Sequence, residues 1–469
     1  MYPKISLPAL LALLPITTGL IFGLSACGGG GGGDRGSHDS TPTSIYFSGN
    51  DGSAGVELWK TDGTEAGTVL VKDINAGSGD SSPSLFTVLN GETYFQASDG
   101  ADGMELWKTD GTAAGTSMVK DINPGSGDSS PTNFIVYSGL LFFSASDGNN
   151  GVELWKTDGT TTGTTMVKDI NTSGDSNPSH FSVLTGILYF KANDGTNGVE
   201  LWKTDGTTTG TAMVKDINTS GDFNPSYMTV LNDALYFHAD DGVNGSELWK
   251  SDGTSAGTVL VKDINPGANQ GFPSSSGFTY FDGELYFRAG DLGTSYGVEL
   301  WKTDGTATGT GMVKDINSGI NGSSPINFIA YKQMLFFSAS TAAQGYELWK
   351  TDGTDAGTMP VKDINSGSGG SSPADFVALN STLFFQADDG TDGVELWKTD
   401  GTDTGTTMVK DINTSAGAAS NPVPLGIINN VLYFFADDGA SGVELWKTDG
   451  SDNGTVMLKD ICPGVCSGH

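Results

Sequence analysis

Nine times between Glu57 and Lys459 the chain repeats one phrase, ELWKTDGTxxGTxxVKDI, and the tryptophans in it, from Trp59 to Trp446, follow one another at intervals of 47 to 52 residues. The chain holds 9 tryptophans in all, so every one is a copy of a single structural position. Self-similarity at this period is the mark of stacked or radially arranged units, each too small to bury its apolar surface alone.

One unit resolves into four short strands. In the second, Leu85 to Leu89 is apolar, Asn90-Gly91 is a two-residue turn, and Thr93 to Ala97 is rich in aromatics. An Asn-Gly pair between two such runs signals a tight hairpin. After Asp99 to Gly103 come a strand at Met104 to Lys108, a turn at Thr109 to Gly115 and a strand at Ser117 to Ile122. The Gly, Ser and Pro segment Asn123 to Asn133 then crosses from an outer strand to the next inner one.

Apolar runs of four to six residues with dense glycine and β-branched residues leave no room for a helical period. The expected class is therefore all-β. Sheets that are apolar on both faces need cover on both, which radial stacking provides. The pattern predicts a β-propeller of four-stranded antiparallel blades, ahead of a β-helical stack or a row of small domains. The last three strands occur nine times but the first only eight, since His38 to Ser44 is polar. The expectation is a ring of about nine repeats with a three-stranded first blade, in other words eight full blades plus an incomplete one. No strand is visible after Ile461 to complete it.

The ends carry signals of their own. Lys4 precedes an apolar run from Ile5 to Phe22 with the length of a secretory signal, and Leu24-Ser25-Ala26-Cys27 resembles a bacterial lipobox. Residues 1–26 are read as a lipoprotein signal peptide and 27–44 as a lipidated Cys27 with a glycine-rich tether. Residues 45–462 are read as the propeller and 463–469 as a C-terminal tail. Gly28 after the cysteine favours the outer membrane by the same resemblance. Cys462 and Cys466 are an even leftover pair in an exported chain and read as a disulfide.

A net charge of -32 repels nucleic acid and anionic lipid, and nucleic acid is excluded as a partner. Within the repeat, Glu57 and Lys72 fall opposite each other if Lys60 pairs with Val69 across the hairpin, which suggests a cross-strand ion pair in every unit. The tryptophans read as packing residues and Asp62-Gly63 as a turn whose carboxylate caps backbone amides. The loop carrying Asp388, Asp389 and Asp392 offers the hard oxygen ligands that calcium prefers, without the spacing of an EF-hand. The histidines His38, His180, His238 and His469 occupy unrelated places in the repeat. No nucleophile elbow, histidine-rich metal motif or phosphate loop is present. Paired carboxylates leave a glycosidase or lyase site open, and a single arginine in the folded region, Arg288, sets aside an arginine-clamped sialidase site.

The repeated phrase resembles the signature of the ELWxxDGT repeat proteins, a bacterial family of exported chains, over about Ile45 to Ile461. The resemblance implies a propeller-like body at the cell surface or in the periplasm and brings no catalytic residues with it. The layout is also similar to kelch blades, with Ala-x-Asp-Gly in place of the double glycine.

Departures from the repeat point to a specific function. They gather in the fifth to seventh units, where Trp249 and Trp301 stand 52 apart and the altered stretches carry Phe272, Arg288, Tyr296, Lys332, Gln344 and Tyr346. The leading expectation is a lipid-anchored scaffold that binds protein or polysaccharide at the cell envelope. A calcium-stabilised structural or adhesive module and a polysaccharide-active hydrolase or lyase stand behind it.

Overall fold

The computed structural model describes residues 44–267, 270–273, 277–290, 296–464 and 468. The signal, Cys27 and Cys466 lie outside them. The described chain is all-β: nine antiparallel sheets, one of three strands and eight of four, each a simple meander. Blade one is β1 (Ile45–Asn50), β2 (Val56–Thr61) and β3 (Val69–Lys72); blade two is β4 (Ser84–Leu89), β5 (Glu92–Ser98), β6 (Met104–Thr109) and β7 (Ser117–Lys120). The first strands of most successive blades adjoin one another around the axis, and β1, which has no strand inside it among the described residues, adjoins both β4 and the first strand of blade nine.

Nine separate apolar clusters hold nine blades, one at each joint. An open arc would have only eight. At the joint of blades one and two, Leu58, Val71 and Ile74 meet Phe95, Ala97 and Trp107. The ninth cluster joins Ile45, Phe47 and Trp59 of blade one to Leu425, Phe435 and Leu445 of blade nine. The tryptophans are packing residues, as expected, and most are only 5 to 7% exposed.

The repeated polar residues also act between blades, and here one expectation is overturned. Lys60 does pair with Val69, but a bulge between Leu58 and Trp59 slips the register by one residue, so that Lys72 stands opposite Leu58. Glu57 therefore passes beyond the end of the ladder and forms no ion pair with Lys72. Its carboxylate is fully buried and accepts hydrogen bonds from the Ile74 amide at 2.6 Å, the Ser81 amide at 3.1 Å and the Ser81 hydroxyl at 2.7 Å. It thus ties down the crossover to the next blade. The same use of the carboxylate explains why the last strand of blade two stops at Lys120 and not at Ile122: the Ile122 amide donates to Glu105. Lys72 instead crosses the joint, donating to the Thr116 carbonyl at 2.8 Å with its ammonium 5.6 Å from the centre of the Trp107 ring.

The turn reading of KTDGT holds. Asp62 Oδ1 accepts from the Thr64 amide at 2.9 Å and its hydroxyl at 2.7 Å, and these bonds hold the carboxyl below its ordinary range. Gly63 has φ +90°, and a Cβ there would run into the phenol oxygen of Tyr433, so glycine is needed both for the conformation and for the approach of the neighbouring blade.

The ring closes through the joint that lacks a strand. At five of the other joints a single crossover residue bridges two blades: the Ser81 amide donates to Val56 O at 2.9 Å and its carbonyl accepts from Ser98 N at 3.0 Å. At the closing joint Gly468 does the same, donating to Val443 O at 2.9 Å and accepting from Asn50 N at 3.0 Å. The C-terminal segment is therefore not a free tail, because its last described residue occupies the crossover position. Cys462, just upstream, is buried and disulfide-bonded. Phe435 stands where most blades carry a polar residue and packs edge-on against Phe47 at 5.5 Å, adding apolar volume where blade one has no inner strand.

Candidate functional site

The strand that carries the aromatics reads aromatic-Phe-x-Ala in eight of the nine copies, and x is its most variable position: Ser48, Gln96, Ser144, Lys191, His238, Arg288, Ser338, Gln386 and Phe435. Its ladder partner, where there is one, is the first residue of the innermost strand, as in Ser84 with Gln96 and Ser226 with His238. The position therefore lies near the axis, towards the crossover end of the ring. Three serines, Ser48, Ser144 and Ser338, use it to bond the carbonyl of a proline in the next blade, Pro83, Pro178 and Pro373. Three consecutive blades, four to six, use it for Lys191, His238 and Arg288.

Around these the side chains are aromatic. His180 accepts from the Tyr227 amide through Nδ1 at 3.0 Å, and its ring meets Tyr227 edge-on at 5.2 Å. Tyr227 stacks on His238 at 5.4 Å, and His238 on Phe272 at 5.2 Å. The two histidines, which seemed unrelated along the repeat, are thus linked through one tyrosine. Burial pushes both imidazoles down to about 4, with Lys191 near His180 adding to the effect, so both rings are neutral at pH 7. Lys191 donates to Asn224 Oδ1 at 3.1 Å. Fixed positive charge in this arc rests on Lys191 and Arg288.

Arg288 is the x residue of blade six. Among the described residues, which leave out 274–276, the innermost strand of blade six spans Thr279–Phe281, and its ladder with the next strand runs to the Thr279–Tyr286 pair. The half-buried guanidinium borders a cavity of about 550 Å³ together with Phe278, Thr279, Asn327 and Phe328. Burial lowers the pKa of Arg288, and the nearby phenols of Tyr346 and Tyr227 oppose that shift.

The expected binding residues do not form one site. Arg288 and Tyr346 lie together, the latter with its hydroxyl 3.4 Å from Ser324 O. Phe272, expected to grip a ligand, is a core residue at 1% exposure, stacked on Phe287 at 5.1 Å; its apolar ring fills the joint of blades five and six. Lys332 sits on the hairpin turn at the opposite end of the ring, donating to Ser381 O at 3.1 Å. Tyr296 is exposed, and Gln344 borders a separate groove with Lys362 and Asp403. His180, Lys191, Tyr227 and His238 were not singled out as site residues. The signal for all four was the variable x position and its neighbours on the innermost strand, set among near-invariant copies.

In the acidic loop, Asp388 Oδ1 accepts from the Gly390 amide at 2.7 Å, and Asp389 Oδ1 from the Thr391 and Asp392 amides at 2.8 and 2.9 Å. Partial desolvation and the charges of Asp389 and Asp411 push the Asp392 carboxyl up. Among the described residues no group of three or more His, Cys, Asp or Glu side chains is arranged to hold a metal ion. These carboxylates fit backbone capping better than a cation cage.

No protein-family model and no curated protein sequence matches the chain. Solved structures do resemble it in shape. One is a computationally designed protein, Ika8, at 15% identity and a TM-score of 0.40, covering 72% of this chain and 89% of that one. A second is a puromycin hydrolase mutant complexed with PGG, at 12% identity and a TM-score of 0.39, covering 76% of this chain and 58% of that one. The β-propeller domain of the Trilobed protease from Pyrococcus furiosus is similar at 11% identity and a TM-score of 0.34, covering 71% of this chain and 98% of that one.

Proposed function

We propose that the chain is an exported binding scaffold of the ELWxxDGT repeat kind, held at the cell envelope through a lipid on Cys27 and recognising a protein or polysaccharide at the crossover end of its ring. One observation carries this reading. The repeated glutamates, lysines and Asp-Gly turns are committed to hydrogen bonds within and between blades and the tryptophans to packing at the joints, whereas side chains that differ from blade to blade collect near the axis in blades four to seven. A scaffold made of near-identical units needs such a place to be specific. The lipobox-like segment, the glycine tether and the disulfide-bonded Cys462 support export.

Two experiments test the parts separately. Cys27→Ala moves the protein from the membrane fraction to the soluble fraction of the envelope if the lipid anchors it; retention in the membrane refutes the anchor. Glycan-array and pull-down assays with the soluble body, residues 34–469, return a ligand whose binding weakens on substitution in blades four to seven. Binding unaffected by such substitutions refutes the proposed surface, and turnover of a bound sugar would favour a polysaccharide-active enzyme.

A further inference from the structure

Six of the 11 methionines occupy one position of the repeat. Met118, Met166, Met213, Met312, Met408 and Met457 are each the second residue of a blade's outermost strand, directly opposite that blade's tryptophan on the ladder. The residue before the methionine takes five identities across the six copies, so the repeat has had room to diverge here. Leucine fills the methionine position in blades one and five, as Leu70 and Leu260, and Pro360 fills it in blade seven.

Residues directly across a ladder have Cβ atoms about 5 Å apart, and the thioethers share their tryptophans' joints. Met118 packs with Trp107, Met166 with Trp155 and Met213 with Trp202, each pair in one apolar cluster between two blades. The methionines are half-buried on the outermost strands, whereas these three tryptophans are only 5 to 6% exposed. A small oxidant in solution therefore meets the methionine before the indole. Leu70 and Leu260 show that packing alone is served by leucine. What methionine adds is a sulfur lone pair that takes oxygen from peroxide. We propose that these six methionines are oxidation sites through which peroxide loosens the joints of the ring. In the reaction a sulfur lone pair attacks one peroxide oxygen and the O–O bond breaks. The thioether is oxidised to a sulfoxide, the proton of the attacked oxygen passes to the leaving hydroxide, and the peroxide is reduced to water. The sulfoxide is polar and chiral, so the side chain no longer packs on the indole as an apolar chain.

Treatment of the soluble body, residues 34–469, with hydrogen peroxide tests this, read by peptide mass spectrometry, thermal melting and tryptophan fluorescence. The expected result is one added oxygen on each of the six methionines, a melting midpoint lower by about 5 °C or more, and emission shifted to the red as water enters the joints. Methionine sulfoxide reductases acting on both sulfoxide epimers should restore the midpoint and the emission. A variant with Met118→Leu, Met166→Leu, Met213→Leu, Met312→Leu, Met408→Leu and Met457→Leu should keep both under the same treatment, although Met104, Met228, Met334 and Met359 still take up oxygen. An unchanged midpoint and emission in the oxidised, unaltered protein overturns the proposal whether or not the variant folds. So does a failure of the six to react at a peroxide concentration that oxidises Met359, which is 42% exposed. An equal loss of stability in the treated variant overturns it as well, because the effect would then come from the other methionines. None of these outcomes bears on the ligand of the axial surface.

Discussion

Lys459 of blade nine donates its ammonium to the carbonyl of Thr68 in blade one at 2.6 Å. The bond that Lys72 makes to Thr116 between blades one and two is thus made again between the last blade and the first. Residues almost four hundred positions apart are joined as neighbouring repeats are, so the repeat both builds the blades and closes the ring.

The closing joint depends on the C-terminal segment, since Asn50 donates to Gly468 O. Reduction of the disulfide at Cys462 is expected to loosen this segment. Hydrogen exchange should speed up at the Asn50 amide while Ser98 N, its counterpart at the joint of blades one and two, stays protected. Equal change at both amides would count against a local role for the segment. Global destabilisation should be at or below about 2 kcal/mol, the low end for a native disulfide.

The bulge at Leu58 separates Glu57 from Lys72. A double-mutant cycle with Glu57→Gln and Lys72→Met, read by urea unfolding, should give a coupling energy under about 0.5 kcal/mol, the additivity expected of groups that share no contact. A coupling of about 1 kcal/mol or more would restore the ion pair.

Removing the hydroxyl that serves a buried glutamate should cost far more. Ser176 donates to Glu153 at 2.6 Å through its side chain, and Ser176→Ala leaves that oxygen under-satisfied in a buried site. The expected loss is about 1 to 3 kcal/mol, read as a shift in the urea midpoint with an unchanged slope. Three joints carry a natural version of this change, the third with Gly468 in the serine position, where burial raises Glu444. Where Phe223 and Gly271 stand in the serine position, burial pushes Glu200 up to about 8 and Glu247 up to about 7.

These glutamates also set a pH dependence. A carboxyl raised in the folded state binds more protons folded than unfolded between its ordinary value of 4.5 and about 8, so its contribution to stability is full below that window and is lost as pH rises through it. The turn aspartates, lowered by their Thr hydrogen bonds, act in the opposite sense and lose their contribution as pH falls through the acid range. His180 and His238, lowered to about 4, also favour the folded state less as pH falls below 6.5. Thermal melting should therefore peak in mildly acid solution and decline towards pH 8.5. A midpoint that rises steadily from pH 6 to pH 8.5 would contradict the buried glutamates.

Much of the architecture was legible in the sequence because a repeat states each strand nine times over. The NG hairpin, the TDG turn and the three-stranded first blade all follow from pattern alone. The fate of Glu57 did not, because one bulged residue inverts which groups face each other, and periodicity along a strand carries no trace of a bulge. Closure was hidden for a different reason: Gly468 bridges the blades through its backbone, which leaves no side-chain signature. At the site, Arg288 was visible as a departure from the repeat. Phe272 departs from it equally and fills a core, since position along the chain does not distinguish a ring that faces solvent from one that faces its neighbour.

Closure itself can be read by distance measurement between spin labels on the soluble body, residues 34–469. Glu65, Ala113 and Asp452 occupy the same place in the KTDGT turns of blades one, two and nine. Labels at Glu65→Cys with Ala113→Cys report neighbouring blades, and labels at Asp452→Cys with Glu65→Cys report the closing joint. A closed ring predicts matching distance distributions for the two pairs. A much longer or broad distribution for the second pair alone would contradict it.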